Sequence, residues 1–182
     1  MKAFALLFVA VVATVASARE IAPSPQATYE ALFTPGDAID VRLATLIDGA
    51  RGEVLVNAFT FTNRRIARSL AAARARSVRV EIVADRAQSL DAPGSAIPAL
   101  AREGVAVWLD GSFAAAHNKV LIVDAETADA AIATGSYNYT TAAQQRNAEN
   151  VLIVRRDPAL AQQYRANFVR LRVRATRYDG SP

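Results

Sequence analysis

Glu53-Val-Leu-Val-Asn-Ala-Phe-Thr-Phe61 decides the fold. It is apolar and rich in β-branched and aromatic residues, and Gly49 and Gly52 punctuate the chain before it, so it predicts a strand. Thr62 or Asn63 then stands where a helix cap belongs. The helix it opens runs to about Ala75, with Ile66 and Leu70 facing inward and Arg64, Arg65, Arg68, Arg74 and Arg76 forming a solvated face. Val78–Ala84 (VRVEIVA) alternates apolar and polar residues, which predicts a strand with one buried face. Upstream, Thr28–Phe33 reads as a strand stopped by Thr34-Pro-Gly36. Asp37 can cap a helix to about Asp48, since Ile39, Leu43, Leu46 and Ile47 recur at helical spacing. Downstream come a loop over Asp85–Gly94, a short helix from Ser95 to Glu103, a strand at Val105–Leu109 and a small-residue loop over Asp110–Ala116. Strands follow at His117–Val123, Ala130–Thr134 and Asn150–Val154. Asp157-Pro158 opens a last helix to about Val173, and the final residues read as frayed. Strands alternating with helices give an α/β class, a central sheet covered by helices.

Composition narrows the setting. Of 182 residues, 52% are hydrophobic, which is enough to bury a core, and 21 Lys and Arg against 17 Asp and Glu leave a net charge of +4. Most of the positive charge is arginine, which suits phosphate contacts. Met1-Lys2, an apolar run from Ala3 to Val15 and Ala16-Ser-Ala18 form the pattern of a secretory signal peptide, residues 1–18, cleaved before Arg19. The run is too short for a comfortable membrane span, so the mature chain, one domain over residues 19–182, is expected to carry no integral membrane segment and to be periplasmic or secreted. The absence of cysteine excludes a disulfide, a thiolate nucleophile and a cysteine-based metal site.

The chemistry-bearing residues cluster late. His117-Asn-Lys-Val-Leu-Ile-Val-Asp124 contains the chain's single histidine, and strand parity puts His117 and Lys119 on one face, with Asp124 at the far end or on the other face. Gly135-Ser-Tyr-Asn138 and Asn147-Ala-Glu-Asn150 follow. His117 has no histidine or cysteine companion for a zinc site, and no G-x-S-x-G elbow or phosphate-binding glycine loop is present. Direct attack by the imidazole remains. Phosphorus chemistry explains its neighbours: Lys119 and Asn138 can donate to non-bridging oxygens, Ser136 shares parity with Asn138, and Glu149 is the candidate carboxylate to fix the imidazole tautomer.

His117-x-Lys119-x(4)-Asp124, Gly135-Ser136-x-Asn138 and Glu149, in this order, resemble the HKD motif of the phospholipase D superfamily, closest to its short, exported, single-motif endonucleases. The resemblance spans about residues 27–172 and implies an α/β/α sandwich with a central mixed sheet flanked by helices. It implies that His117 is a nucleophile forming a phosphohistidine, and that Lys119, Ser136 and Asn138 bind the phosphate. It also implies that Glu149 orients His117, and that Asp124, counted in the catalytic motif, is a structural acid of it. The family mechanism uses a second histidine as general acid. One motif per chain therefore implies a homodimer with one composite site, needing no metal or cofactor. The function implied is a metal-independent phosphodiesterase, a non-specific endonuclease acting on DNA or RNA. The alternatives are a phospholipase D acting on phosphatidyl lipids, with Phe113 in the Asp110–Ala116 loop as the candidate membrane contact, and a non-catalytic module binding the nucleic-acid backbone. Trp108 reads as core, and Tyr137 and Tyr139 as candidate base-stacking residues because they flank Asn138.

Overall fold

A computed structural model describes residues 20–181. The expected signal peptide, residues 1–18, lies outside them. The described chain forms β1 (Thr28–Thr34), α1 (Ile39–Asp48), β2 (Glu53–Ala58), α2 (Arg64–Ala75), β3 (Arg79–Asp85), α3 (Arg86–Leu90), α4 (Ile97–Arg102), β4 (Ala106–Asp110), β5 (Val120–Val123), β6 (Ala131–Gly135), α5 (Thr141–Gln145), β7 (Glu149–Arg155), α6 (Pro158–Arg174) and β8 (Thr176–Tyr178). All eight strands join one sheet in the order β1-β7-β6-β5-β2-β3-β4-β8. The β2–β3 and β3–β4 pairs are parallel and the other five are antiparallel, which makes the sheet mixed.

Helices cover both faces. Residues of α1, α2, α4 and α5 pack with Val54, Val56, Val80 and Ile82 on one side. On the other, Ala161 and Phe168 of α6 pack with Leu55, Val83, Ile122 and Ile132. The α6 side also carries a charged clamp. Glu53 and Glu81, each 7% exposed, meet Arg165 and Arg172 of α6 at 3.0 and 2.6 Å, and Arg79 contacts both carboxylates. A buried carboxylate is tolerated only when paired and hydrogen-bonded, as here.

That clamp corrects one expectation. Strand β3 is buried on both faces after its first residue, because it lies between β2 and β4 under helices on both sides, and Glu81 reads as polar only until its arginines are seen. Other differences have equally local causes. Asp37 accepts from the Phe33 amide at 2.8 Å instead of capping α1, whose cap residue Ala38 makes no side-chain bond. Asp85 accepts from the Gln88 amide and winds the expected loop into α3. Thr140 caps a short helix, α5, that the sequence reading lacked. The tail is not frayed: Thr176–Tyr178 pairs with β4. Asn63 caps α2 and Asp157 caps α6, as the sequence indicates.

Candidate active site

Strand direction assembles the site. β5 runs antiparallel to β2, β6 to β5 and β7 to β6. The entry to β5, the exit from β6 and the entry to β7 therefore meet at the end of the sheet where β2 finishes. That end receives His117 and Lys119, Gly135 to Asn138, and Glu149. Asp124 lies at the opposite end of β5.

His117 is exposed and precedes the regular strand, which begins at Val120 and not at His117. Its approach is pinned from below. The amide of Ala116 donates to Asp85 Oδ2 at 2.9 Å, while the other oxygen of that carboxylate caps α3. The Phe59 ring stands 4.4 Å from the imidazole, tilted by 56°. The sequence singles out neither Asp85 nor Phe59: one reads as the start of a loop, the other as part of a strand, and only the folded path brings them to His117.

Lys119 is 7% exposed. Its Nζ lies 2.9 Å from His117 Nδ1, donates to the His117 carbonyl at 2.9 Å, and sits 4.9 Å from the centre of the Phe59 ring. Burial strips water from the ammonium and lowers its pKa below the ordinary lysine value, and the charge of Glu149 opposes that shift. The site thus holds a partly desolvated cation against the imidazole.

Gly135 lets two strands close up. A Cβ there would lie 2.1 Å from the Asn150 carbonyl oxygen, so no other residue fits without separating β6 from β7. The next residue exploits the approach: the Ser136 amide donates to Asn150 O at 3.1 Å. Ser136 Oγ accepts from the Asn150 amide at 3.1 Å and donates to Glu149 Oε2 at 2.5 Å. Asn147 Nδ2 donates to Glu149 Oε1 at 2.9 Å. Both oxygens of Glu149 are therefore engaged by Ser136 and Asn147. His117 Nδ1 faces Lys119 and no carboxylate among the described residues bonds the imidazole.

Asn138 is held between two anchored aromatics. The Tyr139 carbonyl accepts from the amides of Thr62 and Asn63 at 2.8 Å, and its ring packs 5.4 Å from that of Phe61. Tyr137 and Tyr139, 1% and 3% exposed, are core residues, and burial pushes both hydroxyls well above the usual tyrosine range. They cannot stack on a base. Asn138 Oδ1 is itself buried without a partner among the described residues, so the site contains an amide whose hydrogen bonding is incomplete. Trp108 is half-buried under the guanidinium groups of Arg172 and Arg177.

Asp124 has φ 48° and accepts from the amides of Arg51, Gly52 and Glu53 at 2.8 to 2.9 Å. It ties the end of β5 to the start of β2.

Residues 43–172 match the family described as "Cardiolipin synthase, PLD-like domain". A phospholipase D of Rickettsia bellii is 36% identical over 142 residues, covering 78% of this chain and 68% of that protein. A mitochondrial cardiolipin hydrolase of Xenopus laevis is 37% identical over 130 residues, 71% of this chain and 59% of that protein. The chain thus spans about two thirds or less of these relatives. Among solved structures, the phospholipase D family member Nuc from Salmonella typhimurium superposes with a TM-score of 0.78 at 28% identity, covering 84% of this chain and 99% of that one.

Proposed function

The chain belongs to the phospholipase D superfamily of phosphodiesterases, and we propose that it is a metal-independent endonuclease working through His117. The observation that carries this reading is the packing of the only histidine against a partly desolvated lysine at 2.9 Å, at the sheet end that also holds Ser136, Asn138 and Glu149. The likeness to the phospholipase D family member Nuc along nearly the whole of that chain supports this reading.

The Lys119 ammonium faces His117 Nδ1, an arrangement that leaves the ring proton on Nε2. A phosphodiester is a stronger acceptor for that ammonium. Its arrival draws Lys119 to a non-bridging oxygen and frees Nδ1 to carry the ring proton. Nε2 then attacks phosphorus, a P–N bond forms, and the P–O bond to the leaving group breaks. The leaving oxygen takes a proton from the His117 imidazolium of a second copy of the chain. Water next attacks the phosphohistidine and gives its proton to that second imidazole. The P–N bond breaks, and a phosphomonoester is released. Lys119 and Asn138 offset the charge that develops on the phosphoryl oxygens. The exposure of His117 and its single occurrence per chain support a two-fold dimer with both imidazoles at the axis. Residues 19–182 form one catalytic domain in this reading, delivered outside the cytoplasm by the leader.

A second reading has its own support. Relatives carry the names phospholipase D and cardiolipin hydrolase. Leu90 and Phe113, 42% and 45% exposed, flank a cleft of about 410 Å³ close to the site and would suit insertion into a lipid surface. Plasmid DNA and phosphatidylcholine vesicles, each incubated in EDTA with the purified protein and with His117→Ala, separate the readings. DNA cleavage that persists in EDTA and disappears in the variant supports the nuclease. Choline release without DNA cleavage would replace it with the lipase, and retention of DNA without turnover would leave a binding module.

A further inference from the structure

A cavity of about 310 Å³ opens beside His117 on the α6 side of the sheet, and nothing in the chemistry above uses it. His117 forms one wall, and Val83, Phe113 and Leu171 make it largely apolar. Two polar side chains, Asn57 and Asp110, also line it, and both are almost wholly buried, at 3% and 1% exposure. They come from the ends of β2 and β4.

The Asp110 carboxylate is incompletely bonded. Asp110 Oδ1 accepts from the Ser112 amide at 2.9 Å and from its hydroxyl at 2.6 Å, whereas Oδ2 is buried with no partner among the described residues. The Asn57 side chain makes no hydrogen bond among the described residues, which leaves its amide free to meet a ligand in the cavity. Leaving a buried carboxylate oxygen such as Asp110 Oδ2 unmet is costly in a folded interior, and native structures rarely do so without a ligand or water to satisfy it. Neighbouring carboxylates behave differently. Asp85, opposite Asp110 on the adjacent strand, has both oxygens engaged, by Gln88 and Ala116. Of this facing pair of carboxylates, only Asp110 keeps a free valence.

From this juxtaposition we propose that the cavity is a subsite for the nucleobase next to the scissile phosphate, and that Asp110 and Asn57 select bases bearing an exocyclic amino group. The inference rests on the nuclease reading of His117. A carboxylate oxygen accepts from an amino group such as cytosine N4 and repels the carbonyl edge that thymine presents. The Asn57 amide supplies a second contact to the same edge, and the apolar walls take the flat faces of the ring, as in sites that read an unstacked base. Placement against His117 is what makes this a determinant of where the chain cuts and not a remote binding site.

The test measures kcat/KM of the full chain on poly-dC and poly-dT single strands, for the wild type, Asp110→Asn and Asn57→Ala. The wild type is expected to prefer poly-dC by about five- to tenfold, the effect of one well-placed polar contact. Asp110→Asn, whose side chain can both donate and accept, brings the ratio toward one. Asn57→Ala lowers it independently, which keeps the test decisive should the first variant fold poorly. Equal rates of the wild type on the two polymers would overturn the subsite. So would both variants depressing the two polymers alike, since that is what a merely structural role does. If the wild type cuts neither polymer yet releases choline from phosphatidylcholine vesicles, the nuclease reading itself has failed. In that case an Asp110→Asn defect on choline would assign the cavity to an ammonium headgroup and overturn the base assignment.

Discussion

Replacing Gly135 with alanine tests whether close approach of β6 and β7 is what builds the phosphate-binding end. The new Cβ would stand 2.1 Å from the Asn150 carbonyl oxygen and 2.9 Å from its carbon. Restoring ordinary contact requires the Asn150 backbone to retreat by more than about 1 Å. That retreat breaks the Ser136 amide bond to Asn150 O and strains the Asn150 amide bond to Ser136 Oγ, each 3.1 Å. Overpacking and the lost backbone bond together destabilise the fold by about 2–4 kcal/mol. For a chain of this size the melting temperature falls by roughly 5–15 °C. Ser136 and Glu149 shift with the strands, and a displacement near 1 Å in a site costs on the order of a hundredfold in rate. Thermal unfolding followed by circular dichroism, and hydrolysis of bis(p-nitrophenyl) phosphate well below the melting range, read the two effects separately. Gly49→Ala is the control, since its Cβ meets nothing closer than 3.5 Å and its φ of −80° is ordinary. A melting temperature lowered by less than about 2 °C, with activity within about twofold of wild type, would refute the argument that contact between β6 and β7 sets the site.

The lowered pKa of Lys119 puts the alkaline limb of kcat/KM below the ordinary lysine value of 10.5, because the ammonium must stay charged to bind phosphate. Glu149→Gln removes the charge that holds this pKa up, so the limb moves to still lower pH; an upward shift would contradict the assignment. Asp124→Asn weakens three amide contacts at the far end of β5 and lowers the unfolding free energy read from urea titration by about 1.5–3 kcal/mol at constant m-value, while the rate per folded molecule stays within about twofold. Loss of turnover without loss of stability would make it a participant in the chemistry. Tyr137→Phe removes one hydroxyl bond to Gln144 at 3.2 Å and costs about 1 kcal/mol, with no change in KM for DNA. A raised KM would restore the base-stacking role that burial argues against.

Sequence order carried the architecture where the signal is local. Asn63 and Asp157 announce their helices because a cap acts on the next three residues, and EVLVNA announces β2 because its apolar character needs no partner to be seen. Glu81 and Thr176–Tyr178 hide their roles for the opposite reason. One is explained by arginines that reach it through the fold, and the other by an edge pairing with β4. The site divides in the same way. His117, Lys119, Ser136, Asn138 and Glu149 could be named from residue type and spacing. Their partners could not: that Lys119 and not Glu149 faces the imidazole, or that Asp85 and Phe59 frame it, depends on contacts between segments distant in sequence.

The turn between β5 and β6, Glu126 to Asp129, is exposed throughout and lies at the end of the sheet away from His117. Every segment that shapes the reacting end enters or leaves the sheet at the other pole. The turn can therefore drift, lengthen or accept a foreign insertion with little consequence for the chemistry, as exposed loop tips generally do. For a protein engineer it is the natural point for a fusion or a new chain terminus. For natural variation it is where relatives should differ in length while remaining alike around the imidazole.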